Sequence, residues 1–166
     1  YLGAEAAIKR ATDLDPNSGF AHAIYTEILV DSALSGTGPY ENLVRAAEES
    51  KLALSLEPNA IETHRARGYI LEATANYAEA IAEYQAAIAI NDNISDLHLS
   101  LGRNYRAQQV YDLAVEEFTR ANALNPSDPT PDLLISRTYA TIGEFAKAAQ
   151  YGESAVKDAP ADASLR

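Results

Sequence analysis

The sequence predicts an all-α fold, a stack of antiparallel helix pairs, and three observations carry that prediction. The composition leans to helix: 47% of the 166 residues are apolar, alanine is frequent, β-branched runs are scarce, and no two-residue alternation persists. Long helical runs close on Asn, Asp and Pro punctuation, as at Leu14-Asp15-Pro16-Asn17, Leu56-Glu57-Pro58-Asn59 and Leu124-Asn125-Pro126-Ser127. The marks at Pro58, Asp92, Pro126 and Pro160 lie 34 residues apart, and a fixed period of that length is the signature of a repeat architecture.

Residues 1–18 read as a lone second helix, with Ala4, Ile8 and Ala11 in small, large and small places before Pro16. Residues 19–60 form a full unit with an eight-residue insertion, because Pro16 and Pro58 are 42 apart, one period plus eight. The extra residues fall between the two helices, where Asp31-Ser32-Ala33-Leu34-Ser35-Gly36-Thr37-Gly38-Pro39-Tyr40 is rich in turn formers. The insert is expected to project and to be mobile, since loop closure costs little extra as a loop lengthens. Residues 61–94, 95–128 and 129–162 follow without a gap, and residues 163–166 begin a further first helix. Helices are expected near 1–13, 19–32, 41–56, 60–74, 77–90, 94–108, 111–124, 128–142 and 145–158.

The units repeat in detail. Thr63-His64-Arg65-Ala66-Arg67-Gly68-Tyr69 aligns with Leu97-His98-Leu99-Ser100-Leu101-Gly102-Arg103. Tyr77-Ala78-Glu79-Ala80-Ile81-Ala82-Glu83-Tyr84 aligns with Tyr111-Asp112-Leu113-Ala114-Val115-Glu116-Glu117-Phe118. In this period and in its small-residue places the chain resembles the tetratricopeptide repeat (TPR). Gly68 and Gly102 fall where that family keeps a small residue for close helix approach. Ala80, Ala114 and Ala148, then Ala87, Ala121 and Ala155, fill the two alanine places of its second helix. Tyr77, Tyr111 and Phe145 supply the opening aromatic of that helix, and Tyr84 and Phe118 its middle one. Two helices approach to about 8–10 Å only where the side chains between them are small. The resemblance implies an α-α superhelix, a right-handed TPR solenoid of antiparallel helix pairs. Three places depart from the family: Arg67 stands where a leucine is usually buried, Asp132 takes an aromatic's place, and Gly152 replaces the middle aromatic. The stem of Arg67 is expected to carry its head toward Glu83, and the fourth unit to be the least tightly packed.

Charge and composition exclude several functions. With 24 Asp plus Glu against 13 Lys plus Arg, the net charge of −11 opposes binding to nucleic acid or an anionic membrane. No run approaches the ~20 apolar residues that span a bilayer, and no signal-peptide pattern is seen. The chain has no Cys, which removes disulfides and thiolate metal sites without fixing a compartment; the expectation leans cytoplasmic. Met is also absent, and the first residue, Tyr1, leads us to expect a piece of a longer protein.

No catalytic residue, metal site or cofactor is expected. His22, His64 and His98 share the fourth place of their repeats, and places one layer apart lie farther than the ~4 Å that two ligands of one zinc span. They read as packing histidines. Asn91-Asp92-Asn93-Ile94-Ser95-Asp96 lacks the turn glycine of a calcium loop, and Arg103 stands where its closing Glu belongs; Asn93 and Asp96 read instead as helix-capping residues. Gly36-Thr37-Gly38 lacks the Lys of a phosphate loop.

The resemblance implies a non-catalytic scaffold for protein–protein interaction, whose first helices line a concave groove that holds a peptide or protein segment. The family's usual ligand places there bring in Arg65, Tyr69, Leu99, Arg103, Arg106, Leu133 and Arg137. Acids enter as well, at Glu27, Asp31, Glu62, Glu72 and Asp96, so mutual pairing such as Glu62 with Arg65 competes with ligand binding. The acids gather toward the N-terminal half and the arginines toward the C-terminal half. The family's Lys/Asn carboxylate clamp is missing, since its places hold Ala23 and Glu27 or Arg65 and Tyr69. An acidic or carboxylate-terminated partner suits the arginines. Two rival readings stand beside this one: self-association through uncapped ends, and an accessory domain of a larger enzyme.

Overall fold

The structure is a computed structural model and describes residues 2–158. These residues form nine α-helices and no strand: α1 (Leu2–Leu14), α2 (Gly19–Leu34), α3 (Asn42–Leu56), α4 (Ile61–Ala73), α5 (Tyr77–Ile90), α6 (Ser95–Ala107), α7 (Tyr111–Leu124), α8 (Thr130–Thr141) and α9 (Phe145–Asp158). Each lies within two residues of its expected position at both ends. The expected punctuation at Pro160, the last residues of the 129–162 unit and the further helix at 163–166 lie outside the described residues.

The described residues divide into two compact units, one up to Asp92 and one from Asn93. In the first, α1 packs on α2, α2 pairs with α3, α4 pairs with α5, and α4 also packs on α2 and α3. Tyr25, Leu29, Val30, Leu43, Ala46 and Ile70 form its main core. Ala23, Ala53 and Ala66, all without exposure, form a second cluster where only a methyl group separates helices. In the second unit α6 pairs with α7 and α8 with α9, and α7 packs on α8. Leu99, Ala114, Phe118, Ala121, Leu134 and Ile135 make its core.

Within each hairpin the two helices are fitted by reciprocal size. Gly68 faces the ring of Tyr84, and Gly102 faces that of Phe118, so closely that a Cβ on either glycine would overlap the ring. In the register of the repeat the corresponding pairs are Thr26 with Ser50 and Ser136 with Gly152. Where the aromatic is lost, its partner has grown by a hydroxyl-bearing side chain. The exchange is incomplete in the last hairpin: α9 buries Ala148 and Ala155, while Phe145 and Val156 are exposed.

The hairpin turns repeat as well. Ala75, Gln109 and Gly143, each 34 residues from the next, have φ of +59°, +63° and +83°. The residue after each donates its N–H to a carbonyl five residues back: Asn76 to Leu71, Val110 to Tyr105 and Glu144 to Tyr139. This is a Schellman helix end, which requires one residue in the left-handed region.

The insert differs from expectation. Part of it lengthens α2 to Leu34, and the rest folds back on that helix. Gly38 N–H donates to the Ser32 carbonyl at 2.9 Å, and the buried Asn42 side chain donates to the Ser32 hydroxyl at 2.9 Å. The loop is thus anchored to its own helix at Ser32, while residues 34–37, 39 and 40 are exposed.

Candidate functional site

The three histidines are organised by the repeat. His22 Nδ1 lies 2.5 Å from Glu49, His64 Nδ1 2.7 Å from Glu83, and His98 Nδ1 2.7 Å from Glu117. In each case a first-helix histidine meets a glutamate on the second helix of the same hairpin. Nε2 of His22 and of His64 faces the carbonyls of Pro16 and Pro58, in the turns that precede their hairpins. Each of these two histidines therefore ties the incoming turn to the hairpin's second helix. The engagement of Glu83 by His64 also corrects the expectation for Arg67, which instead donates from Nη1 to the Ser50 hydroxyl at 3.1 Å. At α6 Asn93 and Asp96 lie at the incoming N-terminus, as expected, with Asp96 in the first turn; the N-cap is Ile94, without a side-chain cap, and the Ser95 hydroxyl donates to the Ala121 carbonyl.

Of the residues expected along the first helices, Arg65 and Tyr69 lie in the first unit and are occupied there. Arg65 holds Glu27 through two bonds, Nε to Oε1 at 2.8 Å and Nη2 to Oε2 at 3.2 Å. The expected Glu62–Arg65 pair gives way to this link, because α4 packs on α2 and brings a carboxylate from the neighbouring helix into bidentate reach. Burial raises the Glu27 carboxyl above its ordinary value, with Arg65 opposing the shift. Tyr69 donates its hydroxyl to Asp31 Oδ1 at 2.6 Å. Its burial, together with that bond, pushes the phenol well above its usual range.

Leu99, Arg103, Arg106, Leu133 and Arg137 belong to the second unit, on α6 and α8. In register, Arg103 stands where α2 has Glu27, and Leu133 where α4 has Arg65; Ala107 replaces Asp31, and Arg137 replaces Tyr69. Every acid that closes the α2–α4 layer is thus missing from its α6–α8 counterpart. Arg103 and Arg137 are exposed and Arg106 is half-buried, and among the described residues none of the three has an ion pair. The two leucines part company. Leu99 is a core residue at 6% exposure, whereas Leu133 is 41% exposed and lines an apolar cavity of about 240 Å³ with Pro129, Gly152 and Val156. Of the two leucines expected in the groove, only Leu133 offers surface.

Comparison with known proteins agrees with the repeat. Residues 66–94 match the model of the tetratricopeptide repeat. No curated protein sequence matches the chain. Among solved structures, the chain is similar to a thermophilic TPR protein of Thermus thermophilus, with 19% identity and a TM-score of 0.78 over 98% of this chain and 84% of that one. It is similar to MamA, with 21% identity and a TM-score of 0.77 over 93% and 85% of the two chains. A CopN–Scc3 complex contains a chain with 22% identity and a TM-score of 0.60, over 62% of this chain and 61% of that one. At these identities the likeness is one of fold. Proteins of this repeat family are generally scaffolds for other proteins rather than catalysts. Residues 66–94 thus match a tetratricopeptide repeat, and the 34-residue period and helical hairpins around them have the fold of solved tetratricopeptide-repeat proteins.

Proposed function

We propose that the chain is a scaffold that holds an acidic or carboxylate-terminated protein segment on the α6–α8 layer, through Arg103, Arg106 and Arg137. The observation that carries this reading is the lack of counter-charges. In a chain of net charge −11, these three arginines have no ion pair among the described residues, while Arg65 in the matching layer of the first unit has a bidentate carboxylate. Arginine presents a planar donor fork that fits a carboxylate, which suits a partner bearing acids or a free C-terminus. The neighbour solved as a CopN–Scc3 complex supports a protein as the kind of ligand. Open sites of this sort give modest, salt-sensitive affinity.

A peptide-array screen, followed by titration of the selected peptide against an Arg103→Ala, Arg106→Ala, Arg137→Ala variant, tests the reading. The expected result is enrichment of acidic or carboxylate-terminated peptides and loss of at least about tenfold in affinity in the variant. Equal binding by parent and variant contradicts it.

A second reading, self-association, has its own support. The exposed Leu133 and Val156 border an apolar cavity between α8 and α9, a surface suited to another helix. Light scattering over a dilution series separates the two, since only self-association makes the mass concentration-dependent.

A further inference from the structure

Arg67 breaks a column of buried apolar residues. The same place in the other three hairpins holds Tyr25, Leu101 and Ile135, at 2%, 2% and 0% exposure. Arg67 is only half-buried, and its guanidinium reaches the hydroxyl of Ser50. Ser50 is itself a break, since its place holds Tyr84 and Phe118 in the next two repeats. Two large apolar groups are therefore missing from adjoining positions on α3 and α4. An open cleft of about 390 Å³, lined by Arg67, lies between these helices, on the first unit. Tyr40 and Val44, 75% and 62% exposed, supply its apolar surface, over the buried Leu43, Ile70 and Leu71.

The cleft carries two cations and no acid. Lys51 and Arg67 both line it, and no aspartate or glutamate does. Lys51 is exposed and has no ion pair among the described residues, and the one bond of Arg67 is to a neutral hydroxyl. A buried-side arginine without a carboxylate is costly in a protein that carries 24 acids, and a simple structural role is served better by the leucine that the repeat accommodates. An apolar surface lined by two cations is the complement of one chemical pattern, a carboxylate next to a bulky apolar side chain.

We infer that the α3–α4 cleft is a second docking site of this scaffold, taking from a partner protein a bulky apolar residue that adjoins a carboxylate. The apolar side chain packs against the exposed Tyr40 and Val44, and the carboxylate accepts from Arg67 and Lys51. The site lies wholly in the first unit, so it is independent of the proposed α6–α8 site in the second.

The probe is N-acetyl-leucyl-phenylalanine with a free carboxylate, compared with its C-terminal amide and with octanoate, each titrated into ¹⁵N-labelled protein. The acid should shift amides within residues 40–76 and bind at least about fivefold more tightly than the amide. Arg67→Leu restores the apolar column and is expected to fold at least as stably as the parent; it should lose the acid–amide preference. Lys51→Gln, on an exposed side chain, should weaken the acid by a few-fold and leave the amide unchanged. Equal binding of acid and amide, unchanged preference in Arg67→Leu, or shifts confined to residues outside 40–76 overturns the assignment. Octanoate binding more tightly than the dipeptide overturns the peptide as its ligand. Shifts only on α6 and α8 would overturn this site and leave the α6–α8 proposal standing.

Discussion

Gly68 stands directly against the ring of Tyr84, so that a Cβ built on the glycine would lie 2.9 Å from Cε1 and Cζ. Phe118 meets Gly102 the same way, closer still at 2.6 Å from Cε1. Both rings are fully buried and have no room to withdraw. Gly68→Ala and Gly102→Ala should each destabilise by about 1–3 kcal/mol through overpacking, despite the higher helix propensity of alanine. Gly3, on α1 with nothing within reach of a Cβ, is the control: Gly3→Ala should be neutral or stabilise by up to about 1 kcal/mol. Chemical denaturation of the three variants checks the pattern, and equal effects at all three sites would contradict size matching between the helices.

The left-handed turns yield a prediction of opposite sign. Ala75 and Gln109 hold φ of +59° and +63°, where the next repeat uses Gly143. Ala75→Gly and Gln109→Gly should each stabilise by roughly 0.5–1 kcal/mol, because relief of the Cβ strain outweighs the extra freedom of the unfolded chain. Thermal unfolding of each variant measures this. A fall in Tm would mean that the side chains hold the turn.

The histidine–glutamate pairs should be energetically coupled. A double-mutant cycle on His64→Ala and Glu83→Ala should give a coupling energy of about 0.5–2 kcal/mol, the size of a partly buried charged hydrogen bond. The single variants should cost more than the pair's coupling alone, since each leaves its partner without its bond. Strict additivity would show that the 2.7 Å contact holds nothing.

Glu27 supplies a pH dependence whose sign follows from burial. Its folded value is raised above the ordinary 4.5, chiefly by desolvation and against the pull of Arg65. A raised carboxyl favours the fold below its unfolded value, and that contribution is lost as pH climbs from 4.5 through the folded value. A ¹³C titration of the Glu27 carboxyl should therefore show a midpoint above 4.5, and Arg65→Met should move it higher. A midpoint at or below 4.5, or a downward shift in the variant, would contradict the assignment.

Much of the fold is legible in the sequence because its determinants are local. Pro and Asn close the helices, and the 34-residue spacing of Pro58, Asp92 and Pro126 places every described hairpin after the insert. The contacts that sequence spacing misplaces are the ones that cross between helices. Spacing along one helix offers Glu62 as the partner of Arg65, whereas packing of α4 on α2 supplies Glu27. Arg67 does not reach Glu83, a residue already held by His64; the vacancy that receives it is made by Ser50, at a place where the next repeats carry rings. The insert reads as free loop because its Gly and Ser content says nothing of the Ser32–Asn42 bond that anchors it. The histidine–glutamate pairs do leave a signal in the sequence: His64 and His98 are 34 apart, and so are Glu83 and Glu117.

The central claim concerns where a partner sits. Chemical-shift mapping of the array-selected peptide on ¹⁵N-labelled protein, with the arginine Nε–Hε groups observed as well, reads this directly. The predicted footprint lies on α6 and α8, includes the side chains of Arg103, Arg106 and Arg137, and weakens as salt is raised. A footprint that leaves all three arginine side chains unshifted, at saturation and at low salt, would contradict it.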